Sequence, residues 1–502
     1  MAAPLERTAR AEWVLDALAA ACAIAFLIAI CAQAGAARFF TDECFHAHVA
    51  RWIAEHGRLP RVIPELYSGY AYAYPPLFHL FGAAVVRLAG VGALPWLNPA
   101  LTAALLALLA LAPPRGVGRA ARRWAVLAVA GSAGIATYGL RFYAEALVAL
   151  LAAAAAALYL RRRDGGIRVA LGLGLAIGLA ITAKTSALAL LLLPAGAAVV
   201  GWARGRRAAA GCDALALVAA LAVAAPALAR NQALFGSALY PAFAPDLDPA
   251  LYRLHLERFG LPVGAFFSRA AAMLVPVLAV AAAGLTVSIV RRRRASGDRH
   301  GGAAAGLLLF AFAALAAAPA LPVHDPRHVL PLLPVMALAG AVALAPILSV
   351  KERRLVDAGL LAAAALTLNM LPGLRARLNP PEGLEPAYRA VAAHVPEGGT
   401  VLSLWTYDTF YWSSRAATWP IPWGQAARPI EPLLARDPRS LVEALDRHRI
   451  DAVLAPRQSS VESFDGSNYP RSFLLVLSGA VREGTLEVAW SDERLALLVR
   501  RR

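Results

Sequence analysis

The stretch RFFTDECFHAHVARWIAEHG, residues 38–57, follows directly on an apolar run from Trp13 to Ala36. That run exceeds the roughly 20 apolar residues a helix needs to cross a bilayer. Asp42 and Glu43 therefore fall at a membrane surface, where a carboxylate is costly unless it has water or a task. Further apolar runs occupy about 75–92, 95–113, 124–141, 143–160, 169–183, 186–203, 214–230, 270–290, 303–321, 331–349 and 355–373. A series of this length predicts an α-helical polytopic membrane protein.

Apolar residues make up 59% of the 502, which excludes a soluble core for most of the chain. The formal net charge of +17 has the size of a nucleic-acid signature. Its arginines, however, sit in short clusters between apolar runs: RGVGRAARR, RRRDGGIR, RGRR, RRRR and KERR. That is the positive-inside pattern of a membrane protein, so nucleic acid is not an expected partner. Cys22, Cys31, Cys44 and Cys212 are too few and too scattered for a disulfide framework. Arg7 and Arg10 ahead of the first run raise the question of a cleaved signal peptide, and the length of the run favours a retained helix.

Counted from the C-terminal end, the five basic clusters all fall on one side, which the positive-inside rule makes the cytoplasm. The arginine-bearing N-terminus joins them only if one early run does not cross. The run 75–92 is the candidate, because it opens with Pro75-Pro76, holds His79 and Arg87, and is short of a full span. The expectation is about 11 transmembrane helices plus an outer-surface helix, with the N-terminus cytoplasmic and the C-terminus extracytoplasmic in a cytoplasmic (inner) membrane.

This topology gathers the unusual side chains on the outer face. The first outer loop, 38–95, carries Asp42, Glu43 and the segment YSGYAYAYPPLFH. Glu145 lies in RFYAEAL, and Lys184, one of only two lysines, in ITAKTSAL. A long loop, 229–260, brings Arg230, Asn231, His255 and Arg258, and PVHDPRHVLP brings His324, Asp325, Arg327 and His328. Each side chain also has a plainer use. Asp42 suits the N-cap of a helix whose apolar stripe is Phe45, Val49, Trp52 and Ile53. Glu145 could cap the next helix, Lys184 could snorkel to head groups, and Arg327 and His328 could anchor the interface. His255 and Arg258 share one helical face at i, i+3, as on any surface helix. The alternating Tyr67, Tyr70, Tyr72 and Tyr74 suit an interfacial aromatic belt.

Carboxylates from early loops facing cations from later ones, above a bilayer, suit transfer of a sugar from a lipid phosphate to a hydroxyl. A general base takes the hydroxyl proton, and the departing phosphate needs positive charge. Lys184, Arg258 and Arg327 would form the phosphate clamp, arginine by paired hydrogen bonds and lysine as a point charge.

The segments TDECFHAHVARWIAEHGRLP, YPPLFHL, GLAITAKTSALALLLLP, RNQALFGSALYP and RHVLPLLP occur in that order over roughly 1–373. Together they resemble the C-type (GT-C) polyprenyl-phosphate-sugar glycosyltransferases, a superfamily that includes the protein O-mannosyltransferases and the aminoarabinose transferases. The resemblance implies an inverting transferase in which Asp42 is the catalytic base, with Glu43 its neighbour and Glu145 a second outer acid. It also implies that Lys184 contacts the carrier phosphate, together with His255, Arg258, Arg327 and His328; Tyr74 and Arg230 are expected, apart from the resemblance, to bind substrate. The implied partners are a polyprenyl-phosphate sugar donor, membrane lipids, and a lipid, polysaccharide or protein acceptor. The chain departs from the aminoarabinose transferases in having Ala73-Tyr74 where they carry Glu-Lys before the proline pair. It also lacks the lumenal MIR domain of the O-mannosyltransferases, so a generic bacterial member fits better.

After about Leu374 prolines and charges rise and the apolar runs shorten. The runs TVLSLW, DAVLAP, SFLLVLS and LALLVR read as strands, and LEPAYRAVAAHV and DPRSLVEALDRHR as helices. The expected division is a transmembrane domain, 1–373, and a small extracytoplasmic α/β domain, 374–502. The aromatic segment WTYDTFYWSSRAATWPIPW reads as core of that domain before it reads as a sugar or lipid contact. No P-loop, dinucleotide fingerprint or zinc-type spacing is present. A divalent cation on Asp42, Glu43 and Glu145 is chemically compatible, but with so many basic residues nearby a metal-free site needing no cofactor is expected. A transporter or flippase is the alternative class. Its signature, paired halves with ionisable mid-span positions, is missing from the sequence.

Overall fold

The segment LLPVMALAGAVAL is apolar on every face, and in the computed structural model of the chain it forms the helix Leu332–Leu344, buried along its whole length. A helix with no polar face belongs at the centre of a bundle. Four helices pack around it: Arg119–Ala130, Glu145–Arg161, Val263–Arg292 and Gly301–Ala317. The residues described are 2–36, 38–63, 70–111, 117–162, 165–240, 247–253, 261–292, 301–318, 325–378, 384–419, 431–457 and 471–500.

The chain divides into two compact units. The first comprises 1–37, 74–230 and 261–377; the second comprises 38–73, 231–260 and 378–502. The second unit thus takes in the acidic loop and part of the long loop beside the C-terminal region, where the linear reading drew one boundary at 373 and 374.

Among the described residues, seven helices are long and apolar enough to cross a membrane: Arg10–Gly35, Val91–Leu111, Gly166–Ala183, Thr185–Ala203, Arg207–Phe235, Val263–Val290 and Val350–Leu374. Leu77–Ala89, Gly301–Ala317 and Leu332–Leu344 are shorter apolar helices. Leu77–Ala89 has 13 residues. At about 1.5 Å per residue that is roughly 20 Å, short of the ~30 Å hydrocarbon layer. The run read as 124–141 is broken in two, Arg119–Ala130 and Ala133–Leu140. Ser132 starts the second piece by accepting the Ile135 N–H at 3.3 Å.

Small residues set the helix spacing in the first unit. A Cβ on Gly284 would sit 2.8 Å from the Gly340 carbonyl oxygen, and one on Gly340 would sit 2.8 Å from the Ala281 Cα. Backbone contact of this kind is how helices associate where lipid supplies no hydrophobic drive.

The opposite device, a buried charge network, ties the first helix to this unit. Arg123 donates through Nε and Nη2 to both oxygens of Asp357, at 2.7 and 2.9 Å, and through Nη1 to Asp16 and Glu12, at 2.6 and 3.1 Å. Trp124 Nε1 adds a third bond to Asp357 at 2.7 Å. The Arg123 and Asp357 side chains are 2% and 1% exposed, so the bidentate pair is fully withdrawn from water.

In the second unit five strands form one sheet: β3 (Thr400–Ser403), β4 (Ala416–Thr418), β5 (Ala452–Pro456), β6 (Leu486–Ser491) and β7 (Leu495–Arg500), in the order β4-β3-β5-β7-β6. β3 pairs parallel with β4 and β5, while β7 pairs antiparallel with β5 and β6. Two short strands, β1 (Val62–Ile63) and β2 (Tyr70–Ala71), pair separately. The expected helices are Leu384–His394 and Pro438–Arg447, the latter started by an Asp437–Ser440 capping box. The expected strand SFLLVLS is instead part of the helix Arg471–Arg482. Phe473, Leu474, Val476, Leu477 and Ala480 are its buried residues, a helical stripe that a short apolar run conceals. Leu384, Tyr388, Val391, Val401, Leu454, Leu495 and Leu497 form the core on this sheet, with Phe40 and Trp405 packed against it.

Asp357→Leu strands a buried guanidinium, although Arg123 keeps its two bonds to the first helix. A loss of about 3 kcal/mol is expected, read as a lower unfolding midpoint of the detergent-solubilised protein.

Candidate active site

Three chain breaks in the first unit bring charge together. At the first, Asn98 is fully buried and its Nδ2 donates to the carbonyls of Tyr138, Arg141 and Tyr143, the first and last at 3.1 and 2.9 Å. This fixes the turn after the helix Ala133–Leu140, and the next helix opens on Glu145. A carboxylate there is favoured by the unpaired N–H groups and positive end of the helix dipole. At the second break, Lys184 closes the helix Gly166–Ala183, where a cation suits the dipole, before a 3-10 helix, Thr185–Leu191. At the third, Pro326–Val329 forms a 3-10 turn leading into the central helix, and Asp325 caps it by accepting the Arg327 N–H at 2.9 Å.

The three meet on Glu145, which is 3% exposed. Lys184 Nζ donates to Glu145 Oε1, and Arg327 Nε lies 3.7 Å from the same oxygen. Arg327 Nε also lies 2.9 Å from Asp325 Oδ2. Two guanidinium groups lie over the ring of Tyr143, Arg141 at 4.6 Å and Arg327 at 5.3 Å, both in cation–π range. Burial, with the charges of Lys184 and Arg327, holds the His328 imidazole well below its usual pKa, so it is neutral at pH 7. Arg141, Lys184 and Arg327 against Glu145 and Asp325 leave one positive charge in excess.

The acidic pair belongs to the second unit. Thr41, not Asp42, is the N-cap of the helix Asp42–His56, and it makes no side-chain capping bond. Asp42 is the first helical residue and partly exposed, whereas Glu43 is fully buried and its Oε2 accepts the Phe40 N–H at 3.4 Å. Thr41 has φ 56 and ψ −128, an unusual conformation for a β-branched residue. Its N–H donates to Asp408 Oδ1 at 2.8 Å, and Cys44 Sγ lies 3.7 Å from the same oxygen. Asp408 belongs to the helix Thr406–Ser413, whose Tyr407 and Phe410 rings pack on Phe45 and His48. Burial pushes the Asp408 carboxyl up to about 7; the bonds from Thr41 and Cys44 oppose the rise, and the charge on Asp42 adds to it.

Of the residues singled out from sequence, Glu145, Lys184, Arg327 and His328 form one group, and Asp42 and Glu43 lie together beside Asp408. Tyr74 stands edge-on to His79, with ring centroids 6.2 Å apart. Arg230 is half-buried in the helix Arg207–Phe235. His255 and Arg258 lie outside the described residues. Among the described residues, no group of three or more His, Cys, Asp or Glu side chains is arranged to hold a metal ion. Asn98, Tyr143 and Asp408 were not foreseen, and Asp325 was singled out without a role. The lone asparagine of an apolar run marks a polar group that must find partners, but nothing local names them.

A bundle of apolar helices with a small C-terminal α/β unit is the fold of the GT-C glycosyltransferases, and the chain is a multi-pass membrane protein of that architecture. The archaeal oligosaccharyltransferase AglB from Archaeoglobus fulgidus, in complex with an inhibitory peptide and a dolichol-phosphate, aligns with a TM-score of 0.62 and 13% identity, over 90% of this chain and 71% of its own. ArnT from Cupriavidus metallidurans, bound to undecaprenyl phosphate, aligns with a TM-score of 0.60 and 14% identity, over 97% of each chain. No family model and no curated protein matches the sequence.

The Asp408 shift has a sign that can be checked. Its folded pKa of about 7 lies above the ordinary 3.8, so the folded protein holds the proton more tightly. Its contribution to stability is therefore expected to fall as pH rises from about 4 to about 7 and to level off above. Asp408→Asn should flatten that slope in denaturant titrations run across the window.

Proposed function

We propose that the chain is an integral-membrane glycosyltransferase that moves a sugar from a polyprenyl-phosphate donor to an acceptor hydroxyl, with inversion, at the outer face of the cytoplasmic membrane. The observation that carries this reading is the convergence of Lys184 and Arg327 on the buried Glu145, a group with positive charge to spare. Two solved structures of the same fold hold a polyprenyl phosphate, dolichol-phosphate in AglB and undecaprenyl phosphate in ArnT. A lipid phosphate is the ligand such a cation cluster suits.

In this reading Asp42 takes the proton of the acceptor hydroxyl as its oxygen attacks the anomeric carbon. The bond from that carbon to the phosphate oxygen breaks, and the polyprenyl phosphate leaves with the electron pair. Lys184 and Arg327, with His255 and Arg258, compensate the charge that develops on it. Glu145 holds Lys184 until phosphate arrives. His328, being neutral, offers a hydrogen bond without a second charge. Tyr74 and Arg230 contact the substrate, and Glu43 holds the start of its helix. No metal is required, because a divalent cation on Glu145 would have to displace Lys184 and Arg327. The acceptor is a hydroxyl of a lipid, a polysaccharide or a protein. The positive-inside count puts the N-terminus in the cytoplasm and the C-terminal region outside.

Asp42→Asn is expected to keep expression and fold while lowering transfer from undecaprenyl-phosphate-linked sugars by about 100-fold or more, the scale of general-base catalysis. Transfer at the wild-type rate excludes Asp42 as base. Lys184→Ala is expected to weaken undecaprenyl phosphate binding about tenfold, or ~1.4 kcal/mol, in a titration of the solubilised protein. An unchanged affinity removes Lys184 from the phosphate site.

A further inference from the structure

We propose that Asp408 is a positioning residue for the acidic pair: its Oδ1 fixes the Thr41 peptide, and with it the direction in which the Asp42 carboxylate leaves the chain. The proposal rests on the reading of Asp42 as general base and adds a second residue to that step.

Three features meet at this point. Thr41 holds φ 56, a conformation a β-branched residue keeps only where its surroundings impose it. The residue that follows is Asp42, so rotation about the Thr41 backbone swings the carboxylate. The group that holds the Thr41 N–H is Asp408, at 2.8 Å.

Asp408 is itself held rigidly. It is 1% exposed, and its helix is fastened to the segment before Asp42 by the Trp412 Nε1 bond to the Phe39 carbonyl, at 3.3 Å, and by the Phe39–Tyr411 ring pair. Phe40 is in turn packed on the core of the sheet. The chain on both sides of the acidic pair is thus referenced to the C-terminal region.

A buried acid is an expensive way to accept one backbone N–H, since a neutral amide accepts it at lower cost. Pushed up to about 7, the Asp408 carboxyl keeps its proton through the range where an ordinary aspartate ionises, so it holds Thr41 without setting a second charge beside Asp42 there. The groups that face Asp408 are Asp42 and Cys44 from the helix Asp42–His56, with Glu43 next to Cys44, and Tyr388 from the helix Leu384–His394.

The test uses the full-length solubilised protein carrying Asp408→Leu or Asp408→Asn, with Asp42→Asn alongside. Leucine removes the acceptor, and asparagine keeps an oxygen where Oδ1 stands. Hydrogen–deuterium exchange of residues 38–45 reads the backbone, and release of undecaprenyl phosphate from an undecaprenyl-phosphate-linked sugar reads turnover. For Asp408→Leu the segment should exchange about tenfold faster or more. Its kcat should fall about tenfold or more with the donor KM within about twofold. Asp408→Asn should restore wild-type exchange and most of kcat.

Wild-type kcat in folded Asp408→Leu, or an Asp408→Asn variant as impaired as the leucine one, overturns the proposal. Where the leucine variant does not fold, Asp408→Ala, which also removes the acceptor, takes its place, and wild-type kcat in it overturns the proposal. Undiminished transfer in Asp42→Asn rejects the base reading itself. Loss of transfer there, with Asp408→Leu unaffected, rejects the positioning role alone.

Discussion

A carboxylate withdrawn from solvent among apolar helices must find its counter-charge inside the fold, and Glu145 finds two. The first unit's local irregularities serve that pairing. Three helix breaks bring Glu145, Lys184 and Arg327 together, and each break is itself secured. The buried amide of Asn98 pins the first, the Asp325 cap sets the third, and the wholly buried helix Leu332–Leu344 fixes the direction from which Arg327 approaches. Stability alone does not account for this group. The desolvation of a buried ion pair offsets much of its Coulomb attraction, and apolar side chains of similar volume do as well or better. In the proposed function the cluster is retained for the phosphate it can bind.

The acidic pair is held by other means. Phe39, Phe45 and His48 are fastened to the helix Thr406–Ser413 by ring packing, and the N–H of Thr41, a residue at positive φ, is hydrogen-bonded to a buried acid. Aromatic contact sets the approach of the two helices, which fixes the backbone between them closely enough for a strained residue to persist. Strain just before a carboxylate is a sign of positioning rather than of folding, because a folding requirement alone would be met more cheaply by glycine.

Long apolar helices and an α/β C-terminal region were legible because both rest on local signals, the length of apolar runs and the shift to shorter ones. Parity collected Glu145, Lys184 and Arg327 on one expected face together with Asp42, Arg258 and several others, and could not say which of them touch. What stayed hidden depends on partners far along the chain. The Thr41 bond to Asp408 joins residues 367 apart, and in WTYDTFYW that aspartate looks like an incidental polar residue in an aromatic core. Asn98 looks like an ordinary interruption in an apolar run, because its three carbonyl partners lie 40 to 45 residues away. The misread SFLLVLS shows the converse limit: seven residues are too few to tell period 2 from period 3.6 when most are apolar.

The two cations on Glu145 are unequal in a way that bears on the proposed chemistry. Arg327 is constrained on three sides, by Asp325, by Glu145 and by the face of Tyr143, and a planar guanidinium so bounded keeps one orientation. Lys184 has a flexible stem and a compact charge, and its side chain retains 21% exposure. Exchanging Glu145 for a phosphate oxygen requires a rotation of the lysine but a rebuilding of the arginine's surroundings. In the proposed site, which accepts a phosphate ester and then releases the free phosphate, a fixed cation would define where the phosphorus sits. The mobile one can follow the charge as it grows on the departing oxygen. One of only two lysines in an arginine-rich chain stands at the position where that mobility is useful.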